Sequence, residues 1–109
     1  MMTTNYDECI EACKQCADAC DYCATACLEE DNVSKMAKCI ATDIDCAALC
    51  RTAVGFMARG SALAPAVCKA CAEVCQKCAD ECSKHDHNHC QECAEACRSC
   101  AESCRAMPA

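Results

Sequence analysis

The chain is 109 residues long, nineteen of them cysteine, and its ten Lys and Arg against seventeen Asp and Glu leave a formal charge of −7. That length makes a single domain, 1–109; the acidity argues against nucleic acid and anionic membrane as partners, and no stretch is apolar for long enough to span a bilayer. Cysteine and 22 alanines dominate the 54% hydrophobic fraction, with only ten Val, Ile and Leu, so the interior has to be packed with protonated thiols, and bound metal is the obvious way to stabilise so thin a core.

Thr4 or Asn5, followed by Asp7 and Glu8, is expected to cap a first helix that runs to about Glu29, before the polar Glu30-Asp31-Asn32. It carries Cys9, Cys13, Cys16, Cys20, Cys23 and Cys27, spaced alternately four and three residues apart, the rhythm that keeps one helix face turned toward a partner. A second helix is expected from about Ser34 to about Ala58, with Gly60 just past its end. Its inward stripe reads Met36, Cys39, Asp43, Cys46, Cys50, Ala53 and Met57, and beside it Ile40, Ala47 and Val54 form a second apolar strip, facing either a neighbouring helix or another subunit. Pro65 suits the first turn of a third helix, which carries Cys68, Cys71, Cys75, Cys78 and Cys82 and should fray near Lys84. Asn88-His89-Cys90-Gln91 reads as a capping box opening a fourth, which carries Cys90, Cys93, Cys97, Cys100 and Cys104 and ends before Pro108. Short connections make consecutive helices antiparallel neighbours, so the expected fold is all-α, an up-down-up-down four-helix bundle with a cysteine-lined core.

Met1 to Glu8 has neither a basic region nor an apolar run, so it is not a secretory signal, and a cytoplasmic location is expected, where thiols stay reduced. A disulfide framework fits poorly: the count is odd, and cysteines at i and i+3 or i+4 lie side by side on a helix in a geometry that bridges badly. Nor do the residues assemble into a nucleophile, base and orienting group, so no enzymatic activity is expected.

Soft thiolate and thioether ligands select Cu(I), zinc and iron–sulfur clusters. Zinc prefers closed tetrahedral groups in converging turns, and clusters sit in irregular backbone; a continuous ladder on straight helices suits an ion content with two or three sulfurs, which is Cu(I). Nineteen bare thiolates in a low-dielectric core would be prohibitive, so the metal-free core must be largely protonated. A Cu(I) that displaces one thiol proton leaves the charge unchanged, and that exchange can be repeated along the whole ladder, to many ions per chain. The alternative is a metallothionein-like or iron–sulfur protein for zinc or iron. Asp43 lies on the sulfur stripe, where an unpaired carboxylate is costly; it is either a boundary residue reaching water or a backbone amide, or a metal ligand or proton acceptor.

The ladder on four helices, the segment Cys39-Ile40-Ala41-Thr42-Asp43-Ile44-Asp45-Cys46 and the segment Lys84-His85-Asp86-His87-Asn88-His89-Cys90 together resemble the bacterial copper storage protein family in its cytosolic branch, over essentially the whole chain. The resemblance implies a homotetramer of bundles that stores or sequesters Cu(I), with all nineteen cysteines as ligands and with Asp43, His85 and His89 as end-site ligands. A copper chaperone is a further candidate partner, as donor or as acceptor. In such a bundle Cys27, Met36, Cys82, His85, His87, His89 and Cys90 gather at one mouth, and Cys9, Met57, Cys68, Cys104 and Met107 at the other. Histidine nitrogens are plausible first ligands for arriving metal; the alternative is a turn that happens to be His-rich. Met57 and Met107 read as plugs of the far mouth rather than ligands.

Overall fold

The computed structural model describes residues 6–107, which form four helices, α1 (Asp7–Cys27), α2 (Ala37–Ala58), α3 (Ala64–Cys82) and α4 (Asn88–Arg105), with a 3-10 turn at Val33–Met36 leading into α2. Each helix packs against two others, α1 on α2 and α4, α3 on α2 and α4, in a bundle measuring 47 × 22 × 17 Å. The architecture is the expected antiparallel four-helix bundle.

The helix ends show how the sequence punctuates the chain. At the end of α2 the Ser61 N–H donates to the Phe56 carbonyl and the Gly60 N–H to that of Met57, both at 3.0 Å. This paired closure needs a left-handed residue, and Gly60 at φ +63° provides it without a Cβ clash. Pro65 sits in the first turn of α3, where its missing N–H costs nothing. α1 ends in three successive tight turns, whose N–H groups of Leu28, Glu29 and Glu30 donate to the carbonyls of Thr25, Ala26 and Cys27. That tightening places Glu30 beside the end of the bundle.

Three local expectations need correction or limits. The segment from Ser34 to Met36 is not α-helical but belongs to the 3-10 turn. The capping box at Asn88 does not form: His87, extended at ψ 141°, precedes the helix without a side-chain cap. Instead Gln91 Nε2 donates to the carbonyls of His85, at 2.7 Å, and Ser83, at 3.3 Å, where it satisfies acceptors of the α3–α4 connection rather than a donor at its own helix start. The proposed caps Thr4 and Asn5 lie outside the described residues.

All nineteen cysteines are buried free thiols. Beside them run alanines seven residues apart, Ala17 and Ala24 on α1, Ala72 and Ala79 on α3, Ala94 and Ala101 on α4, all buried. These small side chains let the helices close in, and the sulfurs meet across a narrow interior. The full α2 stripe from Met36 to Met57 is buried as expected, Asp43 included. The second strip wedges within the bundle, Ala47 buried and Ile40 and Val54 packed partly buried against the core.

Candidate metal centre

Because the ladders on four helices face one axis, their sulfurs interdigitate. From the far mouth inward, Cys9 lies 3.5 Å from Cys104, Cys13 3.5 Å from Cys100, Cys50 3.7 Å from Cys71 and 3.6 Å from Cys75, and Cys46 3.5 Å from Cys75. The network continues through Cys16 and Cys97 at 3.6 Å, Cys97 and Cys20 at 3.6 Å, Cys20 and Cys78 at 3.9 Å, and Cys39 and Cys82 at 3.5 Å. Sulfurs in the middle of the ladder, among them Cys16, Cys46 and Cys97, each have sulfur neighbours from two or more other helices, an arrangement in which one thiolate can bridge two ions.

Quartets of sulfur also occur, among them Cys13, Cys71, Cys100 and Cys104, and Cys16, Cys46, Cys50 and Cys75, each within 4.8 Å of one another. They form because thiols of facing helices converge on the same axis. The quartets share members, however: Cys16 and Cys46 belong also to a group with Cys20 and Cys97. Nineteen sulfurs taken four at a time make at most four closed tetrahedra, so a large load requires sulfur sharing.

Asp43 interrupts the sulfur lattice. Its Oδ1 lies 3.2 Å from Cys78, 3.3 Å from Cys82 and 3.3 Å from Cys93, with Cys39 3.9 Å from Oδ2. Burial first, then repulsion from Cys93 and Cys78, pushes its pKa up to about 12. At neutral pH it is therefore a protonated acid in a cage of thiols, and the boundary reading, with the carboxylate reaching water or a backbone amide, does not describe it.

The histidine mouth is built from the C-terminal ends of α1 and α3, the start of α4, and the α1–α2 and α3–α4 connections. His89 Nδ1 points at three sulfurs, Cys90 at 3.5 Å, Cys23 at 3.6 Å and Cys27 at 3.9 Å, while its Nε2 lies 2.8 Å from Glu30 Oε2. His87 stacks on His89, ring centroids 5.3 Å apart, and its Nδ1 lies 3.5 Å from the same Glu30 oxygen. The His89 hydrogen bond holds Glu30 below the usual carboxylate range. Burial lowers the His89 pKa, but Cys23 and Glu30 outweigh it and leave it raised. His85 takes another course. Its Nε2 lies 3.1 Å from Glu81 Oε2, and Glu81, almost fully buried, also receives Lys84 at 3.3 Å and Lys38 at 3.9 Å. Burial raises the Glu81 pKa, but His85 and Lys84 bring it below its ordinary value.

Sequence reasoning missed both carboxylates. Glu81 left a local trace, four residues before His85 and three before Lys84. Glu30 left none, since its partner is 59 residues away. Cys23, His89 and Glu30 are linked in a chain through the two nitrogens of the His89 ring. The Cys23 sulfur is fully buried.

At the far mouth Met57 is fully buried and Met107 partly so, and a groove of about 640 Å³ runs past Pro65, Lys69, Cys104, Arg105 and Met107. Thiols along the ladder divide in their acidity. Burial first, then repulsion from neighbouring thiols, pushes Cys27 and Cys90 up and Cys68 up to about 12. One sulfur near each mouth is held below an ordinary thiol, Cys9 by hydrogen bonds from Cys104 and Cys13, and Cys23 by those from Cys39 and Cys82 with help from His89.

Comparison with known proteins gives a consistent picture. The copper storage protein family matches residues 2–109. The Cu(I)-bound copper storage protein BsCsp3 is 46% identical, superposes with a TM-score of 0.93, and the match covers 97% of this chain and 100% of that one. A cytosolic copper storage protein from Streptomyces lividans, solved with five coppers, is 47% identical with a TM-score of 0.87, over 90% of this chain and 87% of its own. A cysteine-rich Bacillus subtilis protein named YhjQ, described as uncharacterized, is 48% identical over 83 residues, 76% of this chain and 77% of its own.

Proposed function

Since this chain belongs to the copper storage protein family, we propose that it stores Cu(I) on all nineteen core cysteines, with Asp43 and His89 as ligands at the histidine end and His85 joining them once it leaves Glu81. The observation that carries this reading is the sulfur lattice at 3.5–3.9 Å, continuous from Cys9 and Cys104 to Cys39 and Cys82. Each Cu(I) that binds a thiol sulfur releases that thiol's proton, so loading leaves the charge of the core unchanged. Divalent zinc in equal number would leave about one uncompensated positive charge per thiolate and has to stop far earlier.

Storage takes place in the cytoplasm on this reading, supported by the description of the Streptomyces relative as cytosolic and by a thiol core that needs a reducing compartment. Copper arrives from a chaperone by ligand exchange, and no reaction is catalysed. Exposed apolar side chains on the flank of α1 and α2, Tyr22 and Ile44, support assembly of bundles into a homotetramer. Anaerobic titration with Cu(I) tests the reading: uptake should continue to a number of ions on the order of the thiol count. Saturation at four ions or fewer, with zinc bound equally well, would replace it with the zinc alternative, and visible charge-transfer colour with iron would replace it with a cluster.

A further inference from the structure

The mouth histidines differ in what holds them, and only His89 is clamped from both sides. A carboxylate can only accept, so Glu30 Oε2 at 2.8 Å requires that the Nε2 of His89 carry a proton. That requirement fixes the ring. Whether the imidazole is neutral or charged, Nε2–H is committed to Glu30 and Nδ1 is the atom presented to Cys23, Cys27 and Cys90, all within 3.9 Å. In the neutral ring, Nδ1 is then the lone pair aimed at the end of the sulfur ladder. Glu30 itself is steadied by the turn that ends α1, its N–H donating to the Cys27 carbonyl at 3.2 Å, so the carboxylate and one of the sulfurs it helps His89 to address share a turn.

On the reading that the thiol core stores Cu(I), we infer that Glu30 is a positioning residue for metal uptake, fixing the tautomer and orientation of His89 so that Nδ1 meets arriving Cu(I) beside Cys23, Cys27 and Cys90. A metal-binding imidazole whose other nitrogen donates to a carboxylate is a recurrent pairing that raises the basicity of the ligating nitrogen. His87 stacks on the same ring and leans on the same oxygen, so Glu30 organises both. Glu29, exposed on the neighbouring position, carries an equal charge without these contacts and serves as the control.

The test uses full-length apo protein with Glu30→Ala, Glu30→Gln and Glu29→Ala. Long-range 1H–15N NMR of the His89 ring at pH 8 should show the Nε2–H tautomer in the native protein, a mixture in E30A, and the native tautomer again in E30Q, because the glutamine carbonyl accepts the same proton. Initial uptake from chelator-held Cu(I) should slow about ten-fold in E30A, recover in E30Q and remain native in E29A, with the final Cu(I) per chain unchanged in all. Native tautomer and native rate in E30A overturn the inference. So does equal slowing in E29A, which would make the effect one of mouth charge. Failure of every variant and of the native chain to take up more than a few Cu(I) would overturn the storage reading instead, and the NMR result would still decide whether Glu30 sets the ring.

Discussion

The two ends of α2 are alike and the two ends of α4 are not. α2 begins after Met36, in the 3-10 turn that leads into it, and ends near Met57, both buried, so a thioether closes each mouth at an end of this helix. α4 begins with His89 clamped between Glu30 and three thiols, whereas beyond its other end lies Met107, half-buried against the core. Sulfur exposure runs opposite to what a simple opening would give: Cys9 and Cys104 at the methionine mouth retain 4% of their surface, whereas Cys23, Cys27 and Cys90 at the histidine mouth retain none. Reach into the ladder therefore need not mean exposed sulfur. At one end a small part of two cysteines meets solvent directly; at the other an imidazole connects the surface to fully covered thiols.

The largest effect tests the likeness of the α2 ends. Met57→Ala should destabilise the apo protein by about 3 kcal/mol, the usual range for emptying a fully buried methionine site, and Met36→Ala should cost a similar amount. Met107→Ala should cost less than about 1 kcal/mol, because its half-buried site is already open to water. Urea denaturation of the reduced, metal-free variants measures all three. A Met57→Ala loss no larger than that of Met107→Ala would mean that the far mouth is not closed by packing.

Much of this architecture could be read directly from the residues, because one property was repeated: a thiol every three or four positions fixes the buried face of α1, α3 and α4, and the same rhythm placed Asp43 inside. Gly60 and Pro65 marked their helix ends by chemistry no neighbour could override. The misses were of another kind. Gln91 matched a capping pattern, but instead of accepting at its own helix start its amide donates to the Ser83 and His85 carbonyls, and Glu30 belonged to a polar connection until antiparallel packing brought it to His89. Local signals specify the ladder; what closes its ends depends on which loops share a mouth.

Asp43 gives the histidine half a property the methionine half lacks. The folded chain keeps its proton up to about pH 12, while the unfolded chain loses it near the ordinary value of 3.8. Above about pH 4 the native state therefore binds one proton more than the unfolded state, and stability falls as pH rises, by up to about 1.4 kcal/mol per pH unit from this group. Asp43→Asn should remove that slope. Its advantage over the native chain should be absent near pH 3 and reach about 2 kcal/mol or more by pH 6 in thermal or urea unfolding of the apo protein. A difference that stays constant with pH would show that Asp43 is ionised in the fold.

The smallest effect in free energy bears most directly on how the mouths differ. If the imidazole relay admits copper, replacing His85, His87 and His89 with Ala should slow uptake about ten-fold, equivalent to about 1.4 kcal/mol, while the final load stays nearly native because the interior thiols hold most of the metal. Replacing Met57 and Met107 should change the rate less, even though Met57→Ala costs more stability. The two rankings are therefore reversed, which separates a route from a plug: loss of packing at one end loosens the bundle without taking away a ligand for arriving metal, whereas loss of the histidines removes such a ligand and leaves the thiol and alanine packing intact. Stopped-flow loading from a chelated donor, on variants shown by circular dichroism to remain helical without metal, measures both rates. If the methionine variant is slow and the histidine variant loads normally, copper enters where Cys9 and Cys104 approach the surface, and the clamp on His89 serves retention at the closed end.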